Sequence, residues 1–241
     1  MGVRFARRSV LTLLCTAASV PALLPAGAAE SPEEQRLHSD WPNLARYRDQ
    51  NRELKSSGSR IDVVFLGDSI TEGWLQKAPA FFGDGRVCRG ISGQTTPQMV
   101  LRFHQDVIAL NPKAVVILAG INDIAGNTGP ETLEQIENNL AAMAEMASAN
   151  HIRVVFCSVT PAFDFPWRPG MEPAPKVIAL NAWIKSYAAE KKYVYVDYHS
   201  AMKDERNGLP KTLSGDGVHP TKAGYAVMAP LVEAGIEKAL K

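Results

Sequence analysis

Short apolar runs recur along the chain at 61–66, 86–89, 114–118, 153–158 and 193–197. They have strand length, and Val115-Val-Ile-Leu118 is apolar at every position, as a strand covered on both faces must be. Between or after them, apolar residues fall three or four apart: Val100, Phe103, Val107, Leu110; Leu133, Ile136, Leu140, Met143; Val177, Leu180, Ile184, Tyr187; and Tyr225, Met228, Val232. That spacing predicts helices with one buried face. Strands alternating with helices predict an α/β domain in which a five-stranded parallel sheet lies between two helical layers, a three-layer α/β/α sandwich.

Two stretches stand outside this alternation. Residues 30–60 are polar and charged. Asp40-Trp-Pro-Asn43 reads as a helix start, Leu44, Tyr47 and Leu54 keep helical spacing, and Ser56-Ser-Gly-Ser59 ends the element. An N-terminal helical arm on the outside of the domain is expected. The stretch from Thr160 to Pro175 carries five prolines together with Phe163, Phe165, Trp167 and Arg168, and predicts a long loop.

The first 29 residues have a different character. Arg4, Arg7 and Arg8 precede an apolar run from Val10 to Leu24, followed by Ala26-Gly-Ala-Ala29. A basic head, a short apolar middle and small residues at the exit predict a secretory signal peptide and an exported, periplasmic or extracellular, product. Pro21 and Pro25 interrupt the run and leave it short for a membrane span, so no stable membrane insertion is expected once it is removed. Arg7-Arg8-Ser-Val-Leu11 loosely matches a twin-arginine signal. Without residues 1–29 the chain loses three of its 26 Lys+Arg and none of its 25 Asp+Glu, moving the formal charge from +1 to −2. No basic surplus points to nucleic acid. Cys88 and Cys157, both inside predicted strands, are expected to be free buried thiols.

In an open parallel sheet the ligand crevice lies beyond the carboxyl ends of the strands. Ser69 follows the first predicted strand, Gly90-Ile-Ser-Gly93 the second, Gly120-Ile-Asn122-Asp123 the third, Thr160 the fourth, and Asp216-Gly-Val-His219 comes after the fifth, on the way into the last helix. Taken singly, each has an ordinary explanation as a turn or a helix cap. Together they supply an alcohol, a backbone donor, an amide and an imidazole with a carboxylate three residues before it, which are the parts acyl transfer needs.

Gly67-Asp-Ser-Ile70, Gly93, Gly120-Ile-Asn-Asp123 and Asp216-Gly-Val-His219 resemble, in order, the four signature blocks of the SGNH hydrolases, also called the GDSL esterase/lipase family. The resemblance spans 61–220 and makes 61–241 the expected hydrolase domain; Ile70 replaces the usual Leu. It implies a flavodoxin-like sandwich, Ser69 as nucleophile, His219 as base, Asp216 as its orienting acid, and an oxyanion hole of the Ser69 and Gly93 N–H groups and the Asn122 amide. Thr71 stands where a G-x-S-x-G elbow would need glycine.

Asp68 and Asp123 are expected to hold their loops through backbone hydrogen bonds rather than act on substrate. His38, His104, His151 and His199 show no metal spacing, and neither a metal nor another cofactor is expected. Trp167 and Arg168 are candidates for walling the substrate pocket, or belong to a rigid connector. An exported short-chain, acetyl-sugar esterase acting on a small-molecule or carbohydrate ester is the leading expectation. A lysophospholipase or a broad aryl-esterase/thioesterase shares the same blocks, and a non-catalytic binding module on the same fold is the remaining alternative. The sequence leaves the oligomeric state open.

Overall fold

A computed structural model describes residues 31–241, so the expected signal peptide lies outside the described residues. The five strands are β1 (Val63–Gly67), β2 (Arg86–Gly90), β3 (Ala114–Leu118), β4 (Arg153–Cys157) and β5 (Val194–Val196). All pair in parallel in the order β2-β1-β3-β4-β5, with Gly67 opposite both Gly90 and Leu118. This is the flavodoxin-like order, whose switch point lies between β1 and β3. Every residue of β1 and β3 is buried, as the unbroken apolar runs require.

The helices are α1 (Pro32–Ser39), α2 (Arg48–Ser56), α3 (Ser69–Lys77), α4 (Thr96–Asp106), α5 (Ile121–Ile124), α6 (Leu133–Ala149), α7 (Ala174–Lys191), α8 (Tyr198–Met202) and α9 (Lys222–Leu240). One helical layer packs α3 and α9 on the sheet, and the other α4, α6 and α7. On the first side Trp74 stacks between Phe81 and Tyr225, with ring centroids 4.4 and 5.2 Å away. The Tyr225 hydroxyl donates to the Ile70 carbonyl at 2.7 Å, tying α9 to the first turn of α3. Cys88 and Cys157 are free and buried.

The arm differs from the sequence expectation. No helix begins at Asp40. Its carboxylate accepts from the N–H groups of Leu44 and Ala45, four and five residues on, and Asn43 takes a left-handed φ of 57°. Those contacts close a loop, whereas an N-cap would bond two or three residues ahead. The true starts are Ser31, which forms a capping box with Glu34 and has Pro32 in the first helical turn, and Arg48. Nor does α2 simply lie outside. Asn51 is buried, donating to Asp106 Oδ1 at 2.7 Å and accepting from Arg89. The Tyr47 hydroxyl donates to the carbonyl of Gly90.

Beneath this arm sit two buried guanidiniums and one buried carboxylate. Arg102 is fully enclosed, donating to Asp106 Oδ2 at 3.1 Å, the carbonyls of Gly67 and Arg89 at 3.0 and 2.9 Å, and Gln94 Oε1 at 2.5 Å. Burial lowers the pKa of both Arg89 and Arg102, and Asp106 pulls each back up. Removing the one anion leaves two buried cations uncompensated. Asp106→Ala is therefore expected to lose about 3–5 kcal/mol of unfolding free energy in urea denaturation; a loss below about 1 kcal/mol would mean that water already reaches the cluster.

Candidate active site

β1 ends at Gly67, and the chain turns at once into α3. A Cβ on Gly67 would lie 2.1 Å from Thr71 Oγ1 and 2.7 Å from the Leu118 carbonyl, so glycine is what lets the first turn of α3 close against β3. Asp68 caps the helix, its Oδ1 accepting from the Ile70 N–H at 2.9 Å. Ser69 is the first helical residue, where N–H groups lack intrahelical acceptors and the helix carries partial positive charge. Its Oγ lies 3.0 Å from His219 Nε2. On the other side of the ring, His219 Nδ1 lies 2.6 Å from Asp216 Oδ2. Serine, imidazole and carboxylate thus form one hydrogen-bonded chain.

The Asp216–His219 turn is fixed locally. Asp216 Oδ1 accepts from the N–H groups of Val218 and His219 at 2.9 and 2.8 Å. Buried Ser214 donates its single hydroxyl hydrogen to the His219 carbonyl at 2.8 Å, lies 3.1 Å from Asp216 Oδ1, and accepts from the Gly217 N–H. Partial burial pushes the Asp216 carboxyl up, but the His219 N–H and ring and the Val218 N–H outweigh it and hold the group well below the usual carboxylate range. It stays ionised, so the proton between it and Nδ1 belongs to the imidazole, and in the neutral ring Nε2 is then the acceptor facing Ser69.

Gly93 follows β2 in a loop held on both sides. Glu72 of α3 accepts from the Ser92 N–H and hydroxyl and is paired to Arg46, while Gln94 accepts from Arg102 and donates to the Pro42 carbonyl. Gly93 itself has φ +77°, and a Cβ there would meet nothing within 4 Å. Glycine is required here by the backbone, beside open space. Asn122, in α5 after β3, is buried and donates from Nδ2 to the Gln94 carbonyl at 3.0 Å, which leaves its second amide hydrogen without a partner among the described residues. Ser69, Gly93 and Asn122 therefore lie at the ends of three adjacent strands. Asp123 turns away into the fold, where its Oδ1 accepts from the N–H and hydroxyl of Thr96.

The 160–175 segment is tighter than a loose connector, since Asp164 accepts from the N–H groups of Phe165, Gly170 and Met171 and α7 starts at Ala174. Trp167 is 42% exposed, stacks on Phe165 at 5.1 Å and stands 6.0 Å from the His219 ring. Arg168, grouped with it in the sequence as a pocket residue, turns its Nη1 instead to the carbonyls of Ala125 and Gly126 at 2.6 and 3.0 Å, bracing two loops together. Sequence reasoning missed Glu72, Ser214 and Asn127; the last is a loop asparagine five residues after Asn122 and donates to Asn122 Oδ1 at 2.9 Å.

Asp68 is wholly buried with Oδ2 unpartnered among the described residues. Burial pushes its carboxyl up to about 7, with nearby Asp123 adding to the shift and the Ile70 N–H and His219 opposing it. The folded protein then holds this proton more tightly than the unfolded chain, in which the group titrates near 3.8. The stability so contributed is complete below the unfolded value and is lost as pH rises through about 7. Relative to the parent, Asp68→Asn should therefore gain melting temperature steadily between those two pH values and level off above them. A pH-independent difference would show that the buried carboxyl does not titrate there.

The chain matches the model of the GDSL-like lipase/acylhydrolase family over residues 65–227. The structure is similar to that of a GDSL-like lipase from Bacteroides thetaiotaomicron, which is 45% identical, with a TM-score of 0.79 over 83% of this chain and 100% of that one. It is equally similar to an acylhydrolase from Bacteroides fragilis, also 45% identical, with a TM-score of 0.80 over 84% of this chain and 99% of that one. An acetylxylan esterase from Geobacillus stearothermophilus is 27% identical over 204 residues, covering 71% of this chain and 92% of that protein. With most of the described sheet and every strand-end block of the site inside the matched span, the chain belongs to the GDSL-like lipase/acylhydrolase family.

Proposed function

We propose that this acylhydrolase works through an acyl-enzyme on Ser69, and that its substrates are short-chain esters, acetyl groups on carbohydrate foremost. The observation that carries the mechanism is the chain Ser69 Oγ–His219 Nε2, Nδ1–Asp216. Ser69 Oγ attacks the ester carbonyl while its proton passes to Nε2, because an alcohol is a poor nucleophile without a base in contact. The oxyanion that forms takes hydrogen bonds from the N–H groups of Ser69 and Gly93 and from the free hydrogen of Asn122 Nδ2. Collapse breaks the bond to the alcohol oxygen, which leaves with the proton from Nε2. Water, deprotonated by the same nitrogen, then attacks the acyl-serine, and collapse breaks the bond to Ser69 Oγ, which takes the proton back from Nε2 as the acid is released. Asp216 orients the ring and stabilises the imidazolium without taking its proton.

Two features support the substrate reading. An exposed indole beside the imidazole offers a flat apolar face of the kind that packs on sugar rings, and the curated relative is an acetylxylan esterase. Phe163, Trp167 and Met171 are all exposed on the same segment, which favours a second reading in which aryl or longer acyl esters, lysophospholipids among them, lie along it. We further propose export, supported by the basic, apolar and small-residue order of residues 1–29. No helix among the described residues is long and apolar enough to cross a membrane.

The test is a series of p-nitrophenyl esters of rising acyl length, followed by acetylated xylo-oligosaccharides, assayed on the parent and three variants. Ser69→Ala is expected to abolish turnover on all of them; residual activity near the parent's would end the serine mechanism. Asn122→Ala should lower kcat on the order of a hundredfold with little change in KM. Trp167→Ala should raise KM for the oligosaccharide more than for p-nitrophenyl acetate. If the parent prefers long acyl chains, the carbohydrate reading gives way to the lipid one.

A further inference from the structure

Asn122 is useful as an oxyanion donor only in one of its two amide orientations. Flipped by 180°, it would aim its carbonyl oxygen at the growing negative charge and at the Gln94 carbonyl. Two contacts set the orientation. Nδ2 donates to the Gln94 carbonyl, and Oδ1 accepts from Asn127 Nδ2 at 2.9 Å. Asn127 is also joined to Asn122 through the backbone, its N–H donating to the Asn122 carbonyl at 3.0 Å. Its Nδ2 lies 3.4 Å from the Gly93 carbonyl as well, so one side chain touches both of the loops that carry the proposed donors.

The turn that presents Asn127 is itself held from outside. Gly126 has φ +68°, and a Cβ there would come within 3.0 Å of Arg168 Nη1, so glycine lets the guanidinium reach the carbonyls of Ala125 and Gly126. Gly129 closes the turn by donating to the Gly126 carbonyl. Arg168 adjoins Trp167, which stands beside His219. A continuous set of contacts therefore runs from the loop that walls the site to the amide that faces the oxyanion.

We propose that Asn127 is a positioning residue which fixes the amide sense of Asn122 and its spacing from Gly93, and so sets the strength of the oxyanion hole. The inference rests on the serine mechanism proposed above. Asn127 does not touch the reacting atoms. It acts by donating to Oδ1, so that the Nδ2 hydrogen not bound to Gln94 points where charge develops. A donor aimed before the reaction stabilises the transition state without reorganising, whereas a mobile one does not. Because the ground-state ester carries little charge on that oxygen, the effect belongs to kcat and not to KM.

The experiment compares Asn127→Ala and Asn127→Asp, alone and combined with Asn122→Ala, on p-nitrophenyl acetate, with Ser69→Ala as reference and melting temperatures for all. Asn127→Ala should lower kcat about tenfold, less than loss of the donor itself, with KM within about twofold. Asn127→Asp is nearly isosteric but at neutral pH only accepts, so it opposes Oδ1 and should fall well below Asn127→Ala. In the Asn122→Ala background neither substitution should reduce kcat further, because neighbours acting through one group are not additive. Melting temperatures should match the parent's, since Asn127 is exposed. Parent-like kcat in Asn127→Ala, or an undiminished effect in the Asn122→Ala background, overturns the proposal while an inactive Ser69→Ala leaves the serine mechanism standing. An active Ser69→Ala instead overturns that mechanism itself.

Discussion

The buried guanidinium of Arg102 is the constraint on which the arrangement of the site depends. Its donors reach the carbonyl that ends β1, a carbonyl of β2, the side chain of Gln94 in the Gly93 loop, and Asp106 one turn further along its own helix. The Gly67 carbonyl also accepts from the Ile91 N–H at 3.0 Å, so Arg102 supplies the second of its two hydrogen bonds. Arg102 thus ties the end of β1 to α4 from within the fold. The planar fork matters here, because a lysine ammonium could not span four acceptors in fixed directions.

The arm before β1 belongs to the same construction. Trp41, Pro42 and Leu44 offer their carbonyls to Gln98, Gln94 and Gln105, and Tyr47 and Asn51 reach Gly90 and Arg89. Each contact ends on α4, on β2 or on the loop between them, the segment that carries Gly93. A loop with a left-handed glycine beside open space has little to hold it from the solvent side. Here it is held from below by Arg102, from the flank by Glu72 through Ser92, and from above by the arm. If Gly93 is one of the proposed oxyanion donors, it needs this kind of support, because a donor that must reorganise during the reaction loses its advantage.

The sheet and the strand-end residues were legible because parallel strands buried on both faces leave unbroken apolar runs, and because whatever polar residue follows such a run stands at the crevice. That rule, together with the family resemblance, picked out Ser69, Gly93, Asn122, Asp216 and His219 as candidates, and the fold brings Ser69, His219 and Asp216 into one hydrogen-bonded chain. The supporting residues were not picked out, for physical reasons. Arg102 sits on a helix where its charge reads as solvent-facing, and only the three-dimensional fold shows four acceptors around it. Asn127 and Ser214 look like ordinary turn residues, and their contacts depend on loop geometry that no periodicity encodes. The arm misled for a sharper reason. Asp40 has the residue type of a helix cap, but its bonds run to the fourth and fifth residues ahead, and a left-handed Asn43 breaks the turn before Arg48. Meanwhile Ser31 and Glu34 had the capping-box spacing in plain view.

The division of labour in the site explains why esterase chemistry was easier to read than substrate. Ser69, Gly93 and Asn122 hang from three adjacent strands of one rigid sheet, and His219 and Asp216 from a turn pinned by Ser214 and by α9 against α3. Trp167, Phe163 and Met171 hang instead from a segment closed by its own Asp164 and anchored in the core by Phe165. That segment touches the machinery at two places, the indole beside His219 and the Arg168 brace on the turn leading to Asn127. If Trp167, Phe163 and Met171 meet the substrate, as proposed above, its identity is written in this loop rather than in the sheet.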